Sequence, residues 1–183
     1  MMGGRALAAA LVGKLNPSGK LAVSMPRHVG QQPVYYNQVR GQHGTRYADL
    51  TQEPAFPFGF GLSYSRFEYG SLRLSADRYE LGDTVSVSFD LRNGSERDGV
   101  EIAQLYIEDE VTSLTWAVRE LVAFERVELK AGQTRRITLE VPVSELWIAE
   151  ADGRKIVERG YFRALVGGSS RLVDLQTARF FVE

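Results

Sequence analysis

The stretch Val85-Ser86-Val87-Ser88-Phe89-Asp90-Leu91 decides the fold class of this chain. Its apolar residues stand at every second position, with polar residues between them. Successive side chains of a strand point to opposite faces of a sheet, so this pattern predicts a strand with one face buried and one face in water. This alternation of apolar and polar residues is typical of antiparallel sheets that are covered on one face only.

Apolar runs on either side of this stretch predict further strands, at residues 72–74, 102–107, 121–129, 137–141, 162–166 and 172–182. Turn sequences separate these runs, at Asn93-Gly94, Ala131-Gly132, Asp152-Gly153 and Gly167-Gly168. The run at 102–107 is apolar on both faces, which predicts a central strand. About seven short strands with this punctuation predict a mainly β protein. The expected fold is an antiparallel β-sandwich of the immunoglobulin or fibronectin type III kind, over residues 67–183.

Before the sandwich lies Phe56-Pro57-Phe58-Gly59-Phe60-Gly61-Leu62-Ser63-Tyr64, which we call the aromatic strap. It is too aromatic for a solvated linker and too rich in glycine and proline for the interior of a strand or helix. We therefore predict a buried segment whose rings pack against a neighbouring body while the chain changes direction.

The first 25 residues predict a helix over 3–13, a turn at Asn16-Pro17-Ser18-Gly19 and a strand over 21–25. A helix this short is marginal alone in water, and a single strand has no ladder. The unit therefore resembles the end of an α/β domain. Residues 26–66 form a long irregular connector that includes the strap, because no period is sustained there.

Composition excludes several classes of function. The net charge of −1 does not favour a nucleic-acid or membrane partner, and the lack of cysteine removes disulfides and thiolate metal sites. His28 and His43 have no third ligand at a suitable spacing, and no glycine-rich phosphate loop is found, so we predict neither metal nor cofactor. Arg5 and the apolar run 6–12 superficially resemble a signal peptide, but an alanine-rich helix is favoured and the localisation stays open.

The chain resembles the C-terminal portion of glycoside hydrolase family three, the β-glucosidase and β-xylosidase group. The residues that carry this resemblance run from one end of the chain to the other: Gly3-Gly4-Arg5-Ala6-Leu7-Ala8, Asn16-Pro17-Ser18-Gly19-Lys20-Leu21, Met25-Pro26-Arg27, Pro33-Val34-Tyr35-Tyr36-Asn37, Arg46-Tyr47, residues 57–64, Gln104-Leu105-Tyr106, Arg119-Glu120-Leu121 and Gly160-Tyr161-Phe162. The strap is the most specific of these motifs. Trp116-Ala117 departs from the Arg-Pro that family members often carry there, which puts the usual contacts of that loop in doubt.

The resemblance implies a division into three parts. Residues 1–25 would be the last helix and strand of an α/β sandwich domain, residues 26–66 the connector, and residues 67–183 a fibronectin type III-like domain. It also implies that an aspartate nucleophile on a barrel domain and a glutamate acid/base on the α/β domain lie upstream, so that no catalytic residue is present here. The strap becomes the junction between two domains. Its rings, from Phe56, Phe58, Phe60 and Tyr64 with Pro57 between them, are expected to pack mainly against the β-sandwich.

The residues themselves suggest few sites. Asp90, Glu101, Glu108 and Glu140 fall on solvent-facing or edge positions, which favours a solvated charged face over paired catalytic carboxylates. Sugars stack on aromatic rings, so the candidate substrate-binding residues are Trp116, Tyr35, Tyr36 and Tyr47. Packing is the competing interpretation for each of them and the favoured one, most strongly for Trp147.

The sequence thus predicts a non-catalytic C-terminal module that stabilises the catalytic domains of a family-three glycosidase, whose parent activity would be the release of terminal β-linked glucose or xylose. Its expected partners are the barrel and α/β domains. Two alternatives remain: a module that binds an oligosaccharide or polysaccharide through exposed aromatics, and an interface for interdomain contact or oligomer formation.

Overall fold

The computed structural model describes residues 3–39 and 49–183. It contains one α-helix among these residues, α1 (Gly3–Leu11), and short 3₁₀ turns at Val29–Gln31, Val143–Glu145 and Leu172–Asp174. The strands follow in chain order: β1 (Phe67–Leu74), β2 (Arg78–Tyr79), β3 (Thr84–Asn93), β4 (Gly99–Asp109), β5 (Glu120–Leu129), β6 (Thr134–Pro142), β7 (Ile148–Ala149), β8 (Lys155–Ile156), β9 (Gly160–Gly167) and β10 (Gln176–Val182).

Two sheets form a β-sandwich, as the sequence predicts. One has three strands in the order β1-β3-β6, and the other has five in the order β2-β10-β9-β4-β5. All pairings are antiparallel except the short contact of β2 with β10. The strands β7 and β8 pair separately as a small ribbon.

The alternating stretch of β3 supplies one side of the core. Its four apolar side chains, from Val85, Val87, Phe89 and Leu91, are completely buried. They belong to one apolar cluster with residues of the facing sheet, such as Leu105 and Phe162. Strand β4 lies between β9 and β5 and is buried along most of its length, which confirms the prediction of an interior strand at 102–107.

Two predicted strands differ in the structure. The first part of the run 172–182 is a 3₁₀ turn, and β10 begins at Gln176. Residues 21–25 form no strand, only a single bridge between Met25 and Phe56. The physical reason is the shape of the neighbouring strap, which turns at Gly59 with φ of 76°, so that hydrogen bonds form only near the two ends of the short segment.

The N-terminal segments lie outside the sandwich core. Helix α1 ends before Gly13, which takes a φ of 72°, a conformation that glycine adopts without strain. In its described residues, 26–39 and 49–66, the connector is irregular apart from the turn at Val29–Gln31, as predicted. In the described ranges, no helix combines the length and apolarity that a membrane crossing requires.

Candidate functional site

The middle of the aromatic strap is seated on the outer face of β4. The side chain amide of Gln104 donates to the carbonyl oxygens of Gly59, at 3.3 Å, and Gly168, at 2.7 Å. A Cβ atom added at Gly59 would lie 2.1 Å from Gln104 Oε1, and the residue has a φ of 76°. Both the close approach and the backbone conformation therefore require glycine at this position.

The rings of the strap divide between buried and exposed environments. Phe58 stacks on Tyr36 with ring centroids 4.2 Å apart, and Tyr36 meets Tyr106 edge-on at 5.7 Å. Pro57 is buried and Phe60 half-buried, whereas Phe56 and Tyr64 are exposed. The rings therefore pack only in part against the sandwich, unlike the expectation. The guanidinium carbons of Arg171 and Arg97 lie 5.9 Å from the centre of the Phe60 ring and 5.3 Å from that of Tyr64, whereas the ring of Phe58 packs on Tyr36 of the connector. The two ends of the strap also contact the N-terminal segments, through backbone hydrogen bonds of Phe56 with Met25 and a bond from the Tyr64 hydroxyl to the carbonyl oxygen of Ala10.

Asn16 joins the N-terminal turn to the end of the strap. Its Nδ2 donates to Ser65 Oγ and to the carbonyl oxygen of Asp98, at 2.8 and 2.9 Å. Its Oδ1 accepts from the hydroxyl of Ser63 and the backbone N–H of Tyr64. One amide thus connects three parts of the chain: the turn, the strap and the loop between β3 and β4.

A buried ion pair strengthens this junction. Lys20 Nζ lies 2.7 Å from Glu101 Oε1, and Tyr69 donates its hydroxyl to the same oxygen at 3.2 Å. Glu101 was expected on a solvent-facing or edge position, and this is wrong: only 5% of the residue is exposed. It follows the inward-facing alternation of Ala103 and Leu105, at the end of the sandwich where Lys20 enters. Burial raises the pKa of Glu101, while the charge and hydrogen bond of Lys20 oppose this rise.

The connector and the loop before β5 enclose a small cleft. Val39 bridges to Ala117, the N–H of Val118 donates to the carbonyl of Gln38, and the N–H of Leu121 donates to the Tyr36 hydroxyl at 3.2 Å. These contacts leave a cavity of about 110 Å³. We call it the connector cleft, and its lining includes Gln31, Tyr35, Tyr36, Glu53, Arg119 and Ser170.

Arg119 is the unusual residue of this cleft. Its Nε is buried and has no hydrogen-bond partner. Burial lowers the pKa of Arg119, and the nearby Glu108, Tyr106, Glu53 and Tyr36 act in the opposite direction. A buried guanidinium nitrogen without an acceptor is costly, because its hydration is lost without replacement.

The structure brings only some of the predicted sugar-binding residues together. Tyr35 and Tyr36 both line the connector cleft, with Tyr35 exposed and one face of Tyr36 covered by Phe58. Tyr47 lies outside the described residues, as does His43. Arg119 is not among the site residues predicted from the sequence, and Glu101 is buried where the sequence predicts a solvent-facing or edge position. The doubly apolar character of 102–107 was the available signal for Glu101, because it places both faces of the neighbouring β4 residues under cover.

Trp116 is half-buried and not an open platform. Its indole N–H donates to Glu120 at 3.0 Å, and its ring meets that of Trp147 edge-on at 6.1 Å. The amine of Lys155 lies 3.8 Å from the centre of the Trp147 ring. These contacts are those of a small packed cluster beside the β7–β8 ribbon, which leaves a part of Trp116 accessible.

The other acids named from the sequence lie apart from one another. Asp90 pairs with Arg136 at 3.0 Å, and hydrogen bonds from Arg136 and Ser71 keep the pKa of Asp90 below its usual value. Glu108 is half-buried beside Arg163, and Glu140 is exposed on β6. The prediction that these acids are scattered over strand faces therefore holds for the three of them, and Glu101 is the exception.

Large apolar side chains are exposed along the first 64 residues. Helix α1 has no buried residue at all. Among the described residues of this part, the large apolar side chains that are exposed are those of Leu7, Leu11, Val12, Leu15, Val23, Met25, Val29, Tyr35, Phe56, Leu62 and Tyr64. A folded protein rarely leaves so many apolar side chains in one short part of its chain exposed to water, so this part has the character of a contact surface.

Two family models match the chain. Residues 1–64 match the glycosyl hydrolase family 3 C-terminal domain, and residues 101–170 match the fibronectin type III-like domain. The first match ends at Tyr64, the last residue of the strap, and the second lies within the β-sandwich.

Full-length relatives extend these matches over the whole chain. A β-xylosidase of Formosa agariphila is 38% identical over 190 residues, which cover 100% of this chain and 26% of the relative. A periplasmic β-glucosidase of Salmonella typhimurium is 33% identical over 93% of this chain and 24% of the relative.

Solved structures agree in fold. A β-glucosidase involved in saponin metabolism, from intestinal bacteria, superposes with a TM-score of 0.95 and 50% identity, over 100% of this chain and 25% of that one. The Erythrobacter marinus β-glucosidase EmGH1 gives a TM-score of 0.93 at 35% identity. The chain spans about a quarter of the length of these relatives. It therefore belongs to glycoside hydrolase family 3, and it corresponds to the C-terminal part of the β-glucosidase- and β-xylosidase-like proteins of that family.

Proposed function

We propose that this chain is a non-catalytic module that covers and stabilises the catalytic domains of a family 3 glycosidase. Both catalytic carboxylates lie on those domains. The parent activity is the hydrolysis of terminal β-linked glucose or xylose, the sugars named for its relatives. The module contributes a folded sandwich and a surface on which the catalytic domains pack.

The observation that carries this proposal is the exposure of α1 and its neighbours. All of α1 is accessible, although Leu7 and Leu11 are large apolar residues with 61% and 73% of their surfaces exposed. Burial of a leucine side chain stabilises a protein by roughly 1.5–3 kcal/mol, so this surface offers several such contributions to a partner. At the same time, Asn16 and the Lys20–Glu101 pair fix the segment that follows α1 on the sandwich. A partner that packs on α1 is thereby held against the sandwich.

The test uses the catalytic part of the intestinal β-glucosidase with 50% identity, produced without its C-terminal quarter. We expect that the chain alone does not turn over an aryl β-glucoside, and that mixing the two parts restores activity or lengthens its half-life on heating. Leu11→Asp together with Leu62→Asp should abolish this gain, because both side chains are exposed in the first 64 residues.

A matched control separates docking from a general effect of charge. Val111→Asp changes a residue that is 81% exposed in the loop after β4, outside the proposed surface, and it should leave complementation intact. Turnover by the chain alone, or equal complementation by all variants, would contradict the proposal. A concentration-dependent dimer of the chain that the double variant does not dissolve would show that this surface is not the one used for association.

Binding of a glycan is the second candidate function. The accessible part of Trp116 favours it, since sugars pack on aromatic rings. A pull-down on insoluble glycans tests this role: retention of the wild type that Trp116→Ala loses supports it. No retention of either protein removes Trp116 from consideration.

A further inference from the structure

We propose that the outer face of β9 and β10 binds an acidic segment of another protein. This face carries two aromatic rings and four arginines, and we call it the arginine–aromatic face: Tyr161, Phe181, Arg78, Arg159, Arg163 and Arg179. Tyr161 stands near the start of β9, and Gly168, which shares the Gln104 amide with the strap, follows the end of this strand. Roughly 20 Å of strand therefore separates the face from the seat of the strap. The inference goes beyond the proposed function and does not depend on it.

The strand register places the side chains of this face beside one another. Arg179 lies opposite Arg163, and Phe181 lies between Tyr161 on one neighbouring strand and Arg78 on the other. On both β9 and β10, the residue between the two members of the face is buried in the core. Because successive side chains of a strand point to opposite faces, the members themselves point away from the core.

Glu110 and Tyr161 hold two of the arginines in place. The carboxylate of Glu110 accepts hydrogen bonds from Arg163 at 2.8 Å and from Arg179 at 2.7 and 2.9 Å. The hydrogen bond from Arg179 keeps the pKa of Glu110 below its usual value, so this carboxylate stays charged at neutral pH. The guanidinium carbon of Arg179 also lies 3.6 Å from the centre of the Tyr161 ring. These contacts order both side chains before a partner arrives, which lowers the entropic cost of binding.

Glu183 and Phe181 hold the other two arginines. Glu183 accepts hydrogen bonds from Arg78 at 2.6 Å and from Arg159 at 3.2 Å. The guanidinium carbons of these arginines lie 4.9 and 5.6 Å from the centre of the Phe181 ring. Among the described residues, each of the two side chains donates to Glu183 alone. A guanidinium group has five N–H donors in a planar fork, so most of these donors remain free for the carboxylates of a partner.

The positive groups of this face are its most accessible charges. The side chains of the four arginines are between 46% and 71% exposed. The three carboxylates beside them are less accessible, at 19% for Glu108, 14% for Glu110 and 41% for Glu183. The positive charges also outnumber the negative ones by one, as four to three. A partner therefore meets guanidinium groups first, and a partner with a small number of carboxylates complements them.

The composition of the face favours a protein over a nucleic acid. Arginine and aromatic residues are enriched at the centres of protein interfaces, where single residues contribute most of the binding free energy. Tyr161 is 43% exposed and offers an apolar contact beside the charges. A nucleic acid presents a dense row of phosphates, which the three carboxylates of the face would repel. An acidic protein segment can instead place single carboxylates on the free donors and an apolar side chain on Tyr161.

The experiment is a two-dimensional amide NMR titration of the chain with a capped peptide of six glutamates, and a peptide of six glutamines is the neutral comparison. We expect saturable shifts at the amides of Tyr161, Arg179 and Phe181 with the acidic peptide only, and an affinity that falls with added salt. The double variant Arg78→Met with Arg159→Met keeps the apolar stems and removes two positive charges. It should weaken binding about fivefold or more, because exposed ion pairs are individually weak and two of them are lost.

The matched control is Arg126→Met, which removes an exposed arginine that pairs with Glu128 on β5 of the same sheet, and it should bind like the wild type. Glu183→Gln keeps an acceptor for its two arginines and removes a competing negative charge, so it should strengthen binding. The same spectra report whether each variant is folded.

A parallel titration with a single-stranded oligonucleotide of six nucleotides tests the other class of partner. Tighter binding of the oligonucleotide than of the acidic peptide would overturn the assignment to a protein. If the acidic peptide gives no saturable shifts, or if the double variant binds it as tightly as the wild type does, the face only stabilises the sandwich and the proposal is wrong.

Discussion

The two parts of this chain bury their apolar residues to very different degrees. In the sandwich, the inward side chains of β3 are completely covered by residues of the facing sheet. In the first 64 residues, α1 buries nothing and apolar residues from Leu7 to Leu62 face water. Both parts have similar apolar residues, so the difference lies in their partners. A strand of the sandwich finds its partner within the chain, and α1 does not.

The contact between the N-terminal part and the sandwich is made by specific polar interactions. Asn16, Lys20 and Gly59 each meet the sandwich or its loops through hydrogen bonds, an ion pair or a close backbone approach. Such contacts fix an orientation, but they contribute less free energy than a large apolar interface. The N-terminal part is therefore held in place by the sandwich, while its apolar surface remains available.

The largest loss of stability is expected from a cavity in the core of the sandwich. Phe89→Ala removes a fully buried ring that lies 5.7 Å from the ring of Tyr69. We expect a loss of about 3–5 kcal/mol in the free energy of unfolding, measured by urea denaturation. Leu11→Ala is the matched change in the exposed part, and it should alter the stability of the chain by less than about 0.5 kcal/mol. Equal losses for the two variants would mean that α1 is packed in solution.

The next largest effect is expected at the junction, from Lys20→Met. This change leaves the carboxylate of Glu101 buried beside Tyr69 without its cation. Breaking a buried ion pair from one side costs about 3 kcal/mol or more. Loss of the Lys20 charge also raises the pKa of Glu101 further, because that charge is the largest influence opposing the effect of burial.

The loss of stability caused by Lys20→Met should depend on pH. A carboxyl whose pKa is raised by folding contributes its stability at a pH below the ordinary glutamate pKa, and the contribution is lost as the pH rises through the raised value. Lys20→Met should therefore be least destabilised at about pH 4 and increasingly destabilised towards neutral pH. Adding Glu101→Gln should remove this trend. A difference from the wild type that stays constant with pH, in urea denaturation at several pH values, would exclude a buried charge as the cause.

The sandwich could be predicted from the sequence because its information is local and periodic. The alternation of β3 sets which residues face inward, and turn pairs such as Ala131-Gly132 mark the strand ends. The strand at 21–25 was predicted on the same local basis and does not form. Strand formation there depends on a neighbour, and the strap bends away at Gly59 after two contacts.

The sites were harder to predict, because they depend on residues that are distant in the sequence. Glu101 is buried at the end of the sandwich, where it pairs with Lys20 from a distant part of the sequence. Arg119 lines a cleft because Val39 and Gln38 pair with its loop. Tyr35 and Tyr36 were named for their chemistry, and the structure places both in that cleft. Their role in binding sugar remains a prediction.

The smallest of these losses of stability is expected at Gly59, where the strap of the N-terminal part contacts the sandwich. Gly59→Ala places a Cβ atom 2.1 Å from Gln104 Oε1, at a residue with φ of 76°. The strained backbone costs roughly 1–2 kcal/mol, and displacement of the Gln104 amide adds to this, so we expect a loss of about 2–3 kcal/mol in urea denaturation. Gly132→Ala is the control, because that glycine has a similar φ of 70° and no atom within 4 Å of the added Cβ. It should lose only about 1 kcal/mol. The excess at Gly59 measures how firmly the strap is seated on β4, and equal losses at the two glycines would mean that the strap lifts from the sandwich at little cost.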